Sequence, residues 1–445
     1  MSPSSPSPAP RPGRDGRDRR DGRDSGHLRL VEGGAARPRT PSSPAERRDL
    51  VRTRTAVLGL VGALCLIGLV MVLSASAYTS LRYYGSVWTI FERQVLWMGI
   101  GAVALVGAAR IRYDWWRRLR LVLFFATLVL LVAVLLPGIG VVAGGSSRWI
   151  GLGMLRIQPS ELMKLALAVF AADLLTRRAD RLHKSVAVVV PLLAALAFSG
   201  FLVLKQPDMG TALVLACITF ALMYAGGVPL RPVVKAVGAT AVLGLVIGLA
   251  EPYRRARLLS FLNPFAHARG SGYQVVQSLV GLGSGHLYGL GLGGGREKWG
   301  LLPNAHTDFI FSVIGEEGGL LGALVVLFLF GALAWYGLRA ASRAPDRFGA
   351  LLAVAATCWI TSQAVINIGA VIGVLPVTGI PLPFVSFGGS SLVITMAAAG
   401  ILANVASHER RPPAPAPGAA RPGTRGRPAA RAPSRPPHAP GHLGA

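Results

Sequence analysis

Four short polar stretches in an otherwise apolar chain hold the residue types that could do chemistry. They are "RIQPSELMK" (156–164), "KQPDMGT" (205–211), "PNAHTDF" (303–309) and "PLPFVSFGGSS" (381–391). Together they supply the carboxylates of Glu161, Asp208 and Asp308, the cations of Lys164 and Lys205, the hydroxyls of Ser390 and Ser391, and the imidazole of His306, with Arg148 just upstream. A carboxylate can take a proton from an attacking hydroxyl or hold a hard cation. Cations and helix N-termini can hold phosphate. Two more acids, Glu316 and Glu317, follow in "FSVIGEEGGLLG", which runs on into a long apolar segment. A carboxylate in hydrocarbon costs about 2.5–3.5 kcal/mol. Glu316 lies eight residues past Asp308, about 12 Å deeper along a helix, and needs a partner there.

The elements that position these residues follow from composition. The chain has 445 residues, 52% of them hydrophobic and 15% charged, with a mean hydropathy of +0.51. Apolar runs near membrane-crossing length recur. The expectation is an all-α integral membrane protein of about ten spans, near 55–76, 90–109, 119–137, 160–176, 185–204, 210–226, 233–250, 309–338, 348–369 and 389–407. Three loops are rich in basic residues: 110–120 with five Arg, 177–184 with four Lys/Arg, and 339–347 with three Arg. The positive-inside rule places these loops and both termini in the cytoplasm and one long segment, about 251–308, outside. The fourth, sixth, eighth and tenth spans then begin at the outer face, each carrying one of the four polar stretches. Ordinary helix capping is the plain alternative for each stretch taken singly.

The net charge of +26 does not indicate nucleic acid. Residues 1–54 hold 13 Arg against 7 acids, and residues 408–445 hold 7 Arg against one. Both segments read as disordered cytoplasmic tails flanking a membrane domain of 55–407. Attraction to anionic lipids at the basic loops is the expected consequence of the remaining charge. Cys65, Cys217 and Cys358 sit in apolar runs and read as small core residues. The glycine-rich "GLGSGHLYGLGLGGG" (281–295) is not a dinucleotide fingerprint, because no strand precedes it. It reads as a flexible connector or as a loop allowing close backbone approach. No organic cofactor is expected, and His286 and His306 lack metal-site spacing.

With "GSSRWIGLG", "QPSELMK", "QPDMGT", "KWGLLPNAHTDFIFSVIGEE" and "NIGAVIGVLPVTGIPLPFVSFGGSS" in this order, the chain resembles the SEDS family of bacterial cell-wall proteins, which includes FtsW, RodA and SpoVE. The resemblance covers about residues 55–407, and "YQVVQSLVGLGSG…REKWGLLPNAHTDFIF" is closer to the FtsW branch. The Arg/Pro/Ala-rich tails resemble those of actinobacterial proteins. The resemblance implies a ten-helix fold and peptidoglycan glycosyltransferase activity on lipid II at the outer membrane face during septal wall synthesis. It implies a class B penicillin-binding protein and other divisome membrane proteins as partners. Asp308 is the implied essential acid. Glu161 and Lys164 match functionally sensitive positions of the family. The matched motifs and their surroundings assign Arg148, Lys205, Asp208, Gln274, Lys298, His306, Ser390 and Ser391 to the substrate and its pyrophosphate as well. Asn304 stands where some relatives carry Glu, so no carboxylate is required at that position here.

Such a reaction needs a base for a sugar 4-hydroxyl and countercharge for a departing diphosphate. Asp308 is the candidate base, or else the ligand of a divalent cation such as Mg2+ or Mn2+. A helix N-terminus would weaken it as a base, whereas desolvation would strengthen it. The alternatives are a lipid II flippase and a RodA-like role in elongation. A carrier should line a route to both faces with polar residues; here they crowd one side.

Overall fold

A computed structural model describes residues 44–143, 146–152, 155–182 and 185–408. The sequence-assigned tails fall outside them, apart from 44–54 and His408. The described chain forms twelve helices: α1 (Pro44–Tyr84), α2 (Thr89–Arg110), α3 (Asp114–Ala133), α4 (Pro159–Arg177), α5 (Ser185–Lys205), α6 (Met209–Ala225), α7 (Leu230–Ala250), α8 (Pro252–Leu262), α9 (Tyr273–Ser284), α10 (Ile310–Arg343), α11 (Arg347–Val371) and α12 (Ser390–Ala406).

Ten of these overlie the ten apolar runs. Six are long and apolar enough to cross a membrane: those of α1, α2, α5, α7, α10 and α11. Helices α6 and α12 are apolar but only 17 residues long. The protein is therefore a multi-pass helical membrane protein. Helix α1 starts at Pro44, well before the boundary read at 55. Its early turns have a tertiary anchor, because Asp49 pairs with Arg339 at 2.8 Å and with Arg343 on α10.

Apolar side chains fill the interior and also face outward, unlike in a water-soluble bundle. Helices α4 and α11 are almost wholly enclosed, with Leu167, Trp359 and Ile360 at 0–1% exposure. Peripheral α3 and α7 turn Val122, Phe125, Val242 and Leu243 outward. Since lipid is as apolar as these side chains, close backbone approach and buried polar bonds must help hold such helices together. Gly68 of α1 is one such approach: a Cβ there would come within 2.7 Å of the Phe384 carbonyl oxygen. Asn404 of α12 donates to the Ala109 carbonyl of α2 at 2.7 Å.

The connections hold more structure than the apolar runs imply. Between α3 and α4 lies a three-stranded antiparallel sheet, β1 (Val141–Ala143), β2 (Ser146–Leu152) and β3 (Leu155–Ile157), paired in the order β1-β2-β3. Trp149 pairs with Val141 and Ile150 with Ile157. The long segment 251–308, read as a loop, contains α8 and α9.

Candidate active site

The starts of α4, α6, α10 and α12 converge at one end of the bundle, so the four polar stretches meet. Asp308 sits in the turn before α10. Asn304 shapes that turn with a φ of 59°, a left-handed conformation that Asn tolerates well. Its carbonyl accepts the N–H groups of Thr307 at 3.1 Å and Phe309 at 3.3 Å. The turn is then clamped from two sides. Asn367 of α11 donates from one Nδ2 to the carbonyls of Asp308 and Ile380, both at 2.8 Å. Ser386 donates to the Thr307 carbonyl at 2.6 Å, and the Phe387 N–H to the His306 carbonyl at 3.0 Å.

Asp308 does not cap α10. Phe309 occupies the N-cap position, and no side chain caps it. Among the described residues, none gives the Asp308 carboxylate a hydrogen bond or ion pair. It is half-buried beside Gly379, whose Cβ, if present, would lie 3.6 Å from Oδ2. Burial pushes its pKa up to about 6; the Arg257 and Arg148 guanidinium groups pull it down, and Asp208 pushes it up. Desolvation therefore prevails over the cationic surroundings.

Asp208 is the opposite case. It caps α6 by accepting Thr211 N–H at 3.1 Å on Oδ1. Its Oδ2 accepts Gln158 Nε2 at 3.0 Å and Ser160 Oγ at 3.2 Å. Of the four helix starts, this is the one that fits plain side-chain capping, since Gln158, Phe309 and Gly389 make no such bond. Strand β2 delivers Arg148 to the neighbouring turn, where it donates to the carbonyls of Gln206 at 2.8 Å and Pro207 at 2.6 Å. Ser390 accepts the Gln158 N–H at 3.1 Å and so joins α12 to α4.

Directly inside lies a closed polar network. Lys164 and Glu161, at 0% and 2% exposure, pair at 2.6 Å. Ser391 donates to Glu161 at 2.9 Å. Lys164 also donates to Gln363 Oε1 at 2.8 Å and stands 5.0 Å from the centre of the Trp359 ring. Gln363 in turn donates to the Pro381 carbonyl at 2.9 Å. Lys164 thus points into the protein and braces the 372–389 loop.

Glu316 and Glu317 form a second, separate acid group. Glu317 accepts Ser74 at 2.7 and 2.8 Å, Lys298 at 2.7 Å and the Gly293 N–H at 3.1 Å. Glu316 accepts the Arg296 N–H at 2.6 Å and the Glu297 N–H at 3.3 Å. The glycine-rich stretch makes this possible by lying against a break in α10 at Gly319, where φ is 65°. There Leu290 and Gly291 donate to the carbonyls of Glu316 and Glu317 at 3.0 Å, and Leu320 donates to His286 at 2.9 Å. A Cβ at Gly289 would collide with the Glu317 carbonyl oxygen. The glycines thus allow backbone to meet backbone within the protein. Glu297 is buried beside Glu316, and burial, then Glu316, raises its pKa to about 7.

The remaining sequence-named residues lie apart from Asp308 or at its margin. Lys298 belongs to the Glu317 group. Lys205 is exposed, 5.5 Å from the Phe201 ring centre. Gln274 is half-buried at the start of α9. His306 packs 5.9 Å from Phe387 and is held neutral by burial, with a pKa lowered to about 4. Sequence reasoning missed Arg257, which donates to the Val377 carbonyl at 3.4 Å while acting on Asp308. It also missed Asn367 and Gln363. These two, four residues apart in an apolar helix, were the available signal. Near Asp308, the side-chain atoms His306 Nδ1, Asn367 Oδ1 and Thr378 Oγ1 are buried and have no hydrogen-bond partner among the described residues.

Among the described residues there is no group of three or more His, Cys, Asp or Glu able to hold a metal ion. A Mg2+-like ion takes one or two carboxylates and fills its shell with substrate phosphates and water. Asp308, with its open carboxylate, fits that pattern; Asp208, with both oxygens engaged, does not.

Residues 54–411 match the family model FTSW_RODA_SPOVE, described as cell cycle protein. A probable peptidoglycan glycosyltransferase FtsW of Mycobacterium tuberculosis is 40% identical over 376 residues, 84% of this chain and 72% of that protein. Stage V sporulation protein E of Bacillus subtilis is 42% identical over 347 residues, 77% of this chain and 94% of that protein. A chain of a peptidoglycan synthase complex that coordinates polymerization and crosslinking superposes with a TM-score of 0.66 at 28% identity, covering 79% of this chain and 96% of that one. The rod shape determining protein RodA of Thermus thermophilus gives 0.57 at 27% identity, covering 79% and 95%.

Proposed function

The chain belongs to the FtsW/RodA/SpoVE family of cell cycle proteins, and from that premise we propose that it is a peptidoglycan glycosyltransferase that polymerises lipid II into β-1,4 glycan strands in septal wall synthesis. The observation that carries this reading is the open carboxylate of Asp308. It stands at a water-facing end of the bundle among Arg148, Arg257 and unpartnered polar atoms. The reaction joins the acceptor sugar's 4-oxygen to the donor's anomeric carbon, breaks the bond from that carbon to the diphosphate, and frees one proton. Asp308 takes the proton as the oxygen attacks. Its raised pKa makes it a stronger base than an ordinary aspartate while leaving it ionised at neutral pH. Arg148 and Arg257 supply countercharge to the departing diphosphate. Inversion at the anomeric carbon requires one such carboxylate and no covalent intermediate. A divalent cation, were Asp308 to hold one, would supply charge neutralisation to the departing diphosphate.

The site faces outward, with both termini in the cytoplasm, which follows from the arginine-rich loops at the other end. A class B penicillin-binding protein would crosslink the strands as they emerge. The names of the relatives favour division over elongation. Transport is disfavoured because α4 continues past Lys164 as the buried apolar run Leu165–Val169, which gives that helix no polar face inward. The test is incubation of lipid II with the purified full-length protein, alone and with its transpeptidase partner. Glycan strands that disappear in Asp308→Asn support the assignment. Absence of polymer under both conditions from folded wild-type protein overturns it.

A further inference from the structure

At the far end of α4, three arginines converge on one aspartate. Asp173, with a side chain 3% exposed, accepts Arg117 Nε at 2.8 Å on Oδ1. Its Oδ2 forms ion pairs with Arg120 Nε at 2.7 Å and Arg177 Nε at 2.8 Å. One carboxylate neutralises one guanidinium, so the group carries two surplus positive charges. Its setting adds more: residues 110–120 and 173–182 hold eight arginines against Asp114, Asp173 and Asp180. Arg177, one helical turn from Asp173, would suffice to neutralise it; closing the α3–α4 contact needs only one of the α3 arginines.

Arg117 donates its Nε–H to Asp173, and Arg120 and Arg177 meet the same carboxylate as ion pairs. Of the terminal N–H groups, Arg120 gives one to the Arg117 carbonyl at 3.0 Å. The Arg117 guanidinium lies 5.6 Å from the Phe348 ring centre, and the three side chains remain 32%, 20% and 52% exposed, so the cluster is open to the surface. The surface that continues from them along α3 is apolar, with Leu121, Val122 and Phe125 at 45%, 66% and 58% exposure. Trp115, 54% exposed under the Arg118 guanidinium, marks the level where aromatic side chains sit at a membrane surface. A preorganised cationic cradle thus stands at the head of a lipid-facing apolar strip.

We propose that Arg117, Arg120 and Arg177, held in register by Asp173, bind the phosphate headgroup of an anionic phospholipid in the leaflet at this end of the bundle, with its acyl chains along α3. The proposal rests on the membrane-spanning reading alone and is independent of the chemistry assigned to Asp308.

The test uses the full-length protein in detergent. Phosphatidylglycerol and phosphatidylcholine compete for it, and retained lipid is counted by native mass spectrometry. The wild type should retain phosphatidylglycerol preferentially, and each Arg→Gln change should lower that preference about fivefold, as expected for roughly 1 kcal/mol per basic residue near a membrane surface. Asp173→Asn should lower the preference less than any of the arginine changes, because all three cations remain while the carboxylate that gathers them is lost. Should Arg117→Gln or Arg120→Gln fail to fold, Arg177→Gln, at the most exposed of the three, still gives the fivefold reading. Equal retention of the two lipids by the wild type, or an unchanged preference in Arg177→Gln, would overturn the site. So would a loss in Asp173→Asn as large as in the arginine variants, which would make the group an internal clamp. Inorganic phosphate displacing the retained lipid as effectively as free phosphatidylglycerol would also overturn it in favour of a free-anion site.

Discussion

Two acidic groups stand within ten residues of each other at the start of α10, and their surroundings are opposite. Glu316 and Glu317 are buried, and protein donors supply both carboxylates: backbone N–H groups from the glycine-rich loop, Ser74 and Lys298. Asp308 is half-buried, and among the described residues nothing bonds its carboxylate, although its own backbone carbonyl is held by Asn367 at 2.8 Å. In the first group the side chain is fixed and used up. In the second the backbone is fixed and the side chain left open. Proteins rarely strand a carboxylate without a compensating bond, and burial raises this one toward neutral pH. Glu316 and Glu317 are saturated by the fold, whereas the Asp308 carboxylate is left open, as its proposed role requires.

The comparison breaks most visibly with conservative amides. Asp308→Asn should lower polymerisation by about 10²–10⁴. It should leave stability unchanged or slightly higher, because burial already favours the uncharged side chain. Thermal unfolding in detergent beside a lipid II assay reads both. An active Asp308→Asn protein would remove the distinction. Glu317→Ala should do the reverse. It leaves Lys298 buried without its counter-ion, a loss of about 3–5 kcal/mol, visible as a large fall in melting temperature. If that variant instead folds with wild-type stability and merely loses activity, Glu317 belongs with the chemistry.

Asn367→Ala probes the support beneath Asp308. It frees the carbonyls of Asp308 and Ile380, worth about 1–3 kcal/mol. We expect kcat to fall by about tenfold or more while KM for lipid II stays within twofold, and the acid limb of the pH profile to shift. A pure loss of folded protein would make Asn367 structural only. The smallest effect concerns Glu297. Its pKa rises from 4.5 in the unfolded chain to about 7 in the fold. The folded state therefore holds this proton more tightly, and the resulting stability is present below about pH 4.5 and lost as pH rises through 7. Glu297→Gln should flatten the dependence of melting temperature on pH in that window.

The sequence read well where one residue type in one setting has one consequence. Ten apolar runs became ten helices because backbone bonds in lipid must close within each segment. Placing four helix starts at one end followed from alternation, and their convergence in space agrees. Partners, however, are set by tertiary contacts that spacing does not encode. Glu316 plainly needed one, but nothing in the sequence pointed to the N–H groups of Arg296 and Glu297. The glycine-rich loop read as a flexible connector because glycine's freedom looks the same whether it serves motion or close packing. Arg257 was hidden inside a segment assigned to a loop. Lys164 looked like a phosphate ligand by sequence position, and its inward turn onto Glu161 and Gln363 depends on how α4 rotates against α11.

The central claim is that the open carboxylate of Asp308 acts ionised, as the base. The pH dependence of single-turnover lipid II polymerisation by the purified wild-type protein tests it most directly. The rate should be level above about pH 6 and fall tenfold per unit below it, with the Asp308→Asn residual rate lacking that limb. A wild-type rate unchanged from pH 7 down to pH 5 would contradict it.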